Sequence, residues 1–292
     1  MTVRALQPRS PLRRLRDGSR LIRPFFWSLG AAHRLQPAFA GVTRYCMFIG
    51  YPRSGHSLVG ALLNAHPRMV IAHELDALRY VVRPFTRAQL FALILRRDRE
   101  FVAQGTRWTG YDYSVPQSAQ GIADGIQVIG DKKGGRSSQR IAADPEILGR
   151  LERMVGPGLR IIHVTRNPFD IIATMVKRGR AETAERVHQF ERHCAGSALA
   201  LSFAGPDRAI TVAHEDLVLD PRATIHTLCE FLGQDAPEPY IEQCAARIFK
   251  VSRKTRKSVI WHAEDVAAVS ALIGRYPFLR RYAADLPEQA SG

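Results

Sequence analysis

Apolar positions along the chain occur in two patterns that alternate. Short unbroken runs read as buried strands, and longer segments with apolar residues every three or four positions read as helices. The run 45–51 (YCMFIGY) leads into the turn Pro52-Arg53-Ser54-Gly55, after which Leu58, Ala61, Leu62 and Ala65 recur at helical spacing. Further strands are predicted over 68–72, 126–130, 160–165 and 209–213, and helices over 75–103, 145–155 and 181–203, with another opened by Pro168. Strands alternating with helices predict an α/β fold with a mainly parallel central sheet flanked by helices. Residues 104–125 carry Trp108, Tyr111 and Tyr113 among Gly, Ser, Pro and Gln without a period, which suits a lid or binding loop. Its aromatics could stack on a substrate or simply pin the loop.

The first strand, turn and helix form a unit with anion chemistry. A helix start leaves backbone N–H groups unpaired, and a glycine before it lets an anion approach the backbone. Gly50, Gly55 and Ser57 fall on the first glycine, second glycine and hydroxyl of the nucleotide-binding pattern G-x-x-x-x-G-K-[ST], while His56 stands where the lysine would be. The cation lies earlier, at Arg53, and Ser54 adds a hydroxyl. A second anion grip is predicted where 160–165 ends in Arg166-Asn167-Pro168, because Thr174, eight residues after Arg166, returns to roughly the same helix face. The strand 68–72 delivers His73 and Glu74 to the same carboxyl edge of the sheet as the phosphate loop.

Composition adds limits. A chain of 292 residues suits one sizeable α/β domain with appendages. The net charge of +15 is partly local, since residues 1–44 hold nine arginines against the single acid Asp17. This divides the chain into a loose basic extension over 1–43, a domain over 44–285 and a frayed tail over 286–292. The segment 21–29 (LIRPFFWSL) would suit packing on the domain or peripheral contact with a membrane, but is too short and interrupted to span one. No signal-peptide pattern is evident, and the arginines leave a transit peptide open; a cytoplasmic, membrane-associable protein is expected. Without a recognition module, nucleic acid is not an expected partner. Cys46, Cys194, Cys229 and Cys244 lack paired spacing and read as reduced thiols, and the scattered histidines give no reason to expect a metal.

The segment 51–58, Tyr-Pro-Arg-Ser-Gly-His-Ser-Leu, resembles the 5′-phosphosulfate loop of the sulfotransferases, commonly Pro-Lys/Arg-Ser-Gly-Thr-Thr/Ser. Arg166 to Thr174 resembles their 3′-phosphate site, and the resemblance spans residues 44–280. It implies a P-loop-like three-layer fold and transfer of a sulfuryl group from 3′-phosphoadenosine 5′-phosphosulfate (PAPS) to an acceptor hydroxyl, without metal. Arg53, Ser54, Gly55, His56 and Ser57 would then hold the 5′ end of the donor and Arg166 and Thr174 its 3′-phosphate. Arg256 and Lys257, in the basic loop 252–261, would close over it. The phrase Asn64-Ala-His-Pro, followed by a strand and Glu74, resembles the tyrosylprotein and carbohydrate branches, which use a glutamate there as general base. Glu74 would take the acceptor's proton while Arg53 stabilises charge on the leaving oxygen. His73, Lys132 and Lys133 would face the sulfuryl group or acceptor, for which a carbohydrate, glycolipid or peptide is favoured. His214-Glu215-Asp216-Leu217 resembles the family's segment after the fifth strand, with His214 in place of the usual tyrosine. A kinase or NTPase would need the missing loop lysine and a magnesium-holding aspartate. A non-catalytic anion- or nucleic-acid-binding protein would need only the pocket.

Overall fold

The computed structural model describes residues 11–121, 125–179, 182–249, 251 and 253–287. The chain begins with α1 (Pro11–Leu35), β1 (Arg44–Gly50), α2 (His56–Asn64) and β2 (Met69–His73). There follow α3 (Leu78–Val81), α4 (Arg87–Ala103), the short strands β3 (Arg107–Trp108) and β4 (Tyr111–Asp112), and β5 (Val128–Lys132). The second half runs α5 (Gly134–Ala143), α6 (Ile147–Val155), β6 (Leu159–Thr165), α7 (Pro168–Gly179), α8 (Thr183–Ala204) and β7 (Ala209–Ala213). It closes with α9 (His214–Leu219), α10 (Pro221–Phe231), α11 (Glu238–Ala245) and α12 (Ala263–Arg275).

Five strands form one sheet in the order β2-β5-β1-β6-β7, and every pairing in it is parallel. β1 lies at the centre with both faces covered, so its residues alternate between two cores. Tyr45, Met47 and Ile49 join the cluster with α4, α6 and α8, whereas Cys46 and Phe48 join that with α2, α10 and α11. The chain leaves β1 toward β2 on one side and later reaches β6 on the other. The β1–α2 loop therefore sits at the point where strand order reverses, the usual ligand crevice of such sheets. All four cysteines are buried and unpaired.

Three segments differ from the expectation. Residues 11–43 are not a loose extension: they open with α1, which packs on α4. Leu21, Ala31, Phe39 and Val42 enter the same core cluster as Tyr45. The Ser28 hydroxyl accepts from Gln89 Nε2 at 3.0 Å and donates to the Phe25 carbonyl at 2.9 Å. Arginines and an internal Pro24 obscure this helix in the sequence. Ile22, Phe26 and Leu29 remain exposed on it, and no helix among the described residues is long and apolar enough to cross a membrane. Second, β5 begins and ends two residues later than expected, so Asp131 and Lys132 belong to the strand. Third, α5 was not expected, because its first two residues are glycines. Residues 1–10 and 288–292, at the expected loose ends, lie outside the described residues.

The packing of α1 gives a direct test. Ala31→Asp places a carboxylate at a position only 2 % exposed, at a cost of about 3 kcal/mol, and should lower Tm by roughly 6–12 °C. Phe26→Ser, at a position 68 % exposed, should change stability by no more than about 0.5 kcal/mol. Equal, small shifts in thermal unfolding of the two variants would mean that α1 is not part of the core.

Candidate active site

The phosphate loop is shaped by close approaches that only glycine permits. Gly50 has φ 132°, and a Cβ there would lie 2.7 Å from the Val164 carbonyl oxygen. Its N–H donates to Ser138 Oγ at 2.9 Å, which ties the loop to α5. Gly55, at φ 97°, caps α2, and a Cβ on it would lie 2.7 Å from His214 Nδ1. Between them Arg53 adopts a left-handed conformation, φ 72°. Gly135 meets Pro52 and Gly134 meets the His56 ring, so the start of α5 rests directly on the loop.

A cavity of about 1260 Å³ brings the two sequence motifs onto one wall. Arg53, Gly55, His56, Ser57 and Glu74 line it together with Arg166, Thr174, Arg253 and Thr255. Thr174 Oγ1 donates to the Asp170 carbonyl at 2.7 Å and lies 3.1 Å from Thr255 Oγ1. A terminal nitrogen of Arg166 donates to the Arg253 carbonyl, while its Nε is buried without a hydrogen-bond partner. His214 Nδ1 is likewise unpartnered. Burial, reinforced by Arg166, lowers the His214 pKa to about 4 and keeps the ring neutral. Leu58, Val218 and Ile248 give the cavity an apolar part, and Trp108, Tyr111 and Tyr113 border it from the β3–β4 hairpin. Arg178 on α7 secures that hairpin by donating to the Thr109 carbonyl at 3.4 Å.

Glu74 stands at the cavity's edge on a left-handed residue, φ 61°. Lys132, only 1 % exposed, donates to Glu74 Oε1 at 3.0 Å, to Ser57 Oγ at 2.8 Å and to His73 Nε2 at 3.4 Å. Lys133 grips Glu74 Oε2 from outside. Burial alone would raise the Glu74 pKa, but the two lysines outweigh it and bring it down to about 2. Burial lowers the Lys132 pKa to about 8 against the pull of Glu74. Burial and then Lys132 take His73 to about 2, so its ring is neutral and can offer a lone pair. Gly60 makes room for this ammonium stem: a Cβ there would lie 2.7 Å from Lys132 Cγ.

Several expected site residues have other partners. Ser54 is buried, and its hydroxyl donates to the Tyr51 carbonyl at 3.0 Å and lies 3.2 Å from His56 Nδ1. His73 stacks on Phe101 at 3.9 Å and is not on the cavity wall. Arg256 is drawn inward: its guanidinium reaches Asp170 Oδ2 at 2.9 Å, so Arg253 and Thr255 supply the loop's cavity-facing groups instead. Lys257 is exposed and is not on the cavity wall. Among the described residues no cluster of His, Cys, Asp or Glu has the geometry of a metal site. Sequence reasoning missed Gly60, Gly134, Gly135 and Thr255; Arg253 lies in the basic loop expected to close over the donor, and it, not Arg256 or Lys257, is on the wall. The paired glycines after Lys133 were the one available signal.

A parallel α/β sheet with a glycine loop at its switch point, sharing one cavity with an arginine and a hydroxyl, defines a phosphate-loop-like protein. A model of the sulfotransferase family matches residues 47–238, more than half of the chain, and the chain belongs to that family. The solved sulfotransferase domain of the Synechococcus PCC 7002 olefin synthase is similar in fold, with TM-score 0.51 and 17 % identity over 84 % of this chain and 96 % of that one. Sulfotransferase STF9 from Mycobacterium avium has TM-score 0.51 and 14 % identity over 96 % of this chain and 87 % of its own. No curated protein matches the chain in sequence.

The lysine clamp is testable. A carboxylate whose pKa is depressed from its usual 4.5 to about 2 stabilises the fold above the higher value and loses that contribution as pH falls through the lower. Lys132→Met should therefore raise the Glu74 pKa by about one unit or more and move acid unfolding to higher pH. Carboxyl ¹³C NMR and an acid titration followed by circular dichroism would measure both. An unchanged Glu74 titration would show that Lys132 does not hold it.

Proposed function

We propose that the chain transfers a sulfuryl group from PAPS to an acceptor hydroxyl, with Glu74 as general base in the manner of the carbohydrate and tyrosylprotein branches. The observation that carries the reading is the shared cavity that Arg53, Ser57, Glu74, Arg166 and Thr174 line together. The unpartnered Arg166 Nε and the tight Gly55 cradle suit a phosphate-bearing ligand. Arg166, Thr174, Arg253 and Thr255 would hold the 3′-phosphate, Arg53, Gly55 and Ser57 the 5′ end, and Leu58, Val218 and Ile248 the purine. When bound, PAPS supplies the sulfuryl group and leaves as adenosine 3′,5′-bisphosphate. Carbohydrate, glycolipid or peptide hydroxyls are the favoured acceptors.

Glu74 accepts the acceptor's proton, and Arg53 with the α2 amides balances charge at the loop. Held between two ammonium groups, Glu74 is a weak base. An anion at the loop competes for Lys132, which already touches Ser57, and so returns basicity to Glu74 only when the loop is filled. Arg53 acts by its charge, since a guanidinium is a poor proton donor. His56, at the lysine position of kinases, is neutral, its pKa taken to about 3 by burial and by Lys132. Asp131, within β5, is occupied by the Leu75 and Ala77 amides at 2.9 and 2.8 Å. Both points favour this reading over phosphoryl transfer.

Calorimetric titration with adenosine 3′,5′-bisphosphate, beside ATP and AMP without magnesium and at two salt concentrations, tests the reading. Selective binding of the bisphosphate, weakened about 100-fold in Arg166→Ala, is expected; preference for ATP, or a steep salt slope without selectivity, would overturn it. Glu74→Gln should retain that binding and lose transfer by about 10²–10⁴-fold. Because the Lys132 pKa is lowered to about 8 and it is the charged ammonium that meets the loop's anion, kcat/KM should decline as pH rises through about 8 and that charge is lost. Whatever activity Lys132→Met retains should lack that alkaline limb in a pH–rate profile.

A further inference from the structure

A second cavity, of about 470 Å³, is also lined by Glu74. It shares Pro52, His56 and Glu74 with the larger one, so the carboxylate stands where the two meet. Its volume is in the range of small-molecule sites. Three cations, Arg79, Lys133 and Arg136, line it against two acids, Glu74 and Asp76. Asp76 is already gripped by both arms of Arg140, at 2.7 and 2.5 Å, and Glu74 by its two lysines. The wall thus presents net positive charge.

His193, from α8, is a second and independent feature of this cavity. It is 1 % exposed and lines the wall, and neither ring nitrogen makes an aligned hydrogen bond, although the Gly135 carbonyl lies near. A buried imidazole without partners is costly unless something polar meets it. Kept neutral, it offers one donor and one acceptor, the complement of a hydroxyl group.

We infer that the smaller cavity is the acceptor site, and that it selects a polyhydroxylated acceptor carrying an anionic group such as a carboxylate. This rests on the sulfotransferase reading, in which the larger cavity takes the donor. The accepting hydroxyl meets Glu74 where the cavities join, a neighbouring hydroxyl pairs with His193, and the anionic group lies against Arg79. Arg79 is the specificity-determining residue; the proton is taken by Glu74.

The test is titration of the full chain, saturated with adenosine 3′,5′-bisphosphate, with p-nitrophenyl β-D-glucuronide and p-nitrophenyl β-D-glucoside, which differ in one carboxylate. The glucuronide should bind at least about 10-fold more tightly. Arg79→Met should abolish that preference and Arg79→Lys restore part of it, while His193→Phe should weaken both glycosides. Bisphosphate affinity in each variant reports that the fold is intact. Equal affinity for the two glycosides, or no binding of either, would overturn the inference. So would loss of glucuronide binding in Trp108→Ala but not in Arg79→Met, which would move the acceptor to the larger cavity. Failure of the bisphosphate itself to bind would sink the underlying reading instead, and the glycosides can still be compared on the protein alone.

Discussion

An ammonium group that is 1 % exposed must find an acceptor for each of its three N–H bonds, and the site is built around how Lys132 does so. Its three acceptors come from two places in the chain: Ser57 at the start of α2, and His73 with Glu74 at and just beyond the end of β2. One lysine on β5 thereby fixes the phosphate loop relative to the carboxylate. It also settles the protonation of its neighbours. His73 must present a bare Nε2, so the ring is neutral with its proton on Nδ1, and Glu74 must be ionised. The requirement reaches into the helix beside it, since any residue but glycine at position 60 would strike the lysine stem.

The loop itself is defined by where side chains are missing. Gly50 and Gly55 have positive φ and stand against the Val164 carbonyl and the His214 ring. Gly134 and Gly135 remove bulk from the first turn of α5, so that helix abuts Pro52 and His56. Ser138, one turn on, accepts the Gly50 amide and is itself 3.1 Å from Ser197 on α8. The loop is thus braced from below by two helices, and its own polar groups at Ser54 are consumed in holding its turn. What remains directed into the cavity is Arg53, Ser57 and the first amides of α2.

The parts of this arrangement legible in the sequence are those set by local pattern. A continuous apolar run into a glycine turn, and a strand ending in Arg166-Asn167-Pro168, announce themselves within ten residues. Contacts made over long sequence distances do not. Arg256 reads as a phosphate ligand until Asp170, 86 residues earlier, is seen to take it. Ser54 and His73 look available because the Tyr51 carbonyl and the Phe101 ring are invisible from their neighbours in the chain. Helix α5 escaped because glycine propensity argues against helix, while the close packing that requires glycine there is tertiary. Likewise α1 seemed a tail, since its buried positions are interleaved with arginines whose stems can lie along an apolar surface.

The backbone between β2 and α3 carries the clearest sign of what the fold protects. Glu74 and Asp76 both occupy the left-handed region, with φ 61° and 65°, at a cost of about 1–3 kcal/mol each. Such conformations persist only where the surroundings over-determine them, and here they do. Asp131 takes the Leu75 and Ala77 amides, Arg140 holds Asp76 with two bonds, and Arg97 donates to the His73 carbonyl at 2.9 Å. Burial raises the Asp131 pKa to about 6, so the brace is itself a strained element. An ion pair with Lys132 and Lys133 would not demand this: a carboxylate on an ordinary extended or helical residue could reach two adjacent lysines by many routes. What the left-handed turn secures is position, setting Glu74, with Pro52 and His56, where the cavity of the phosphate loop meets the cavity beside it.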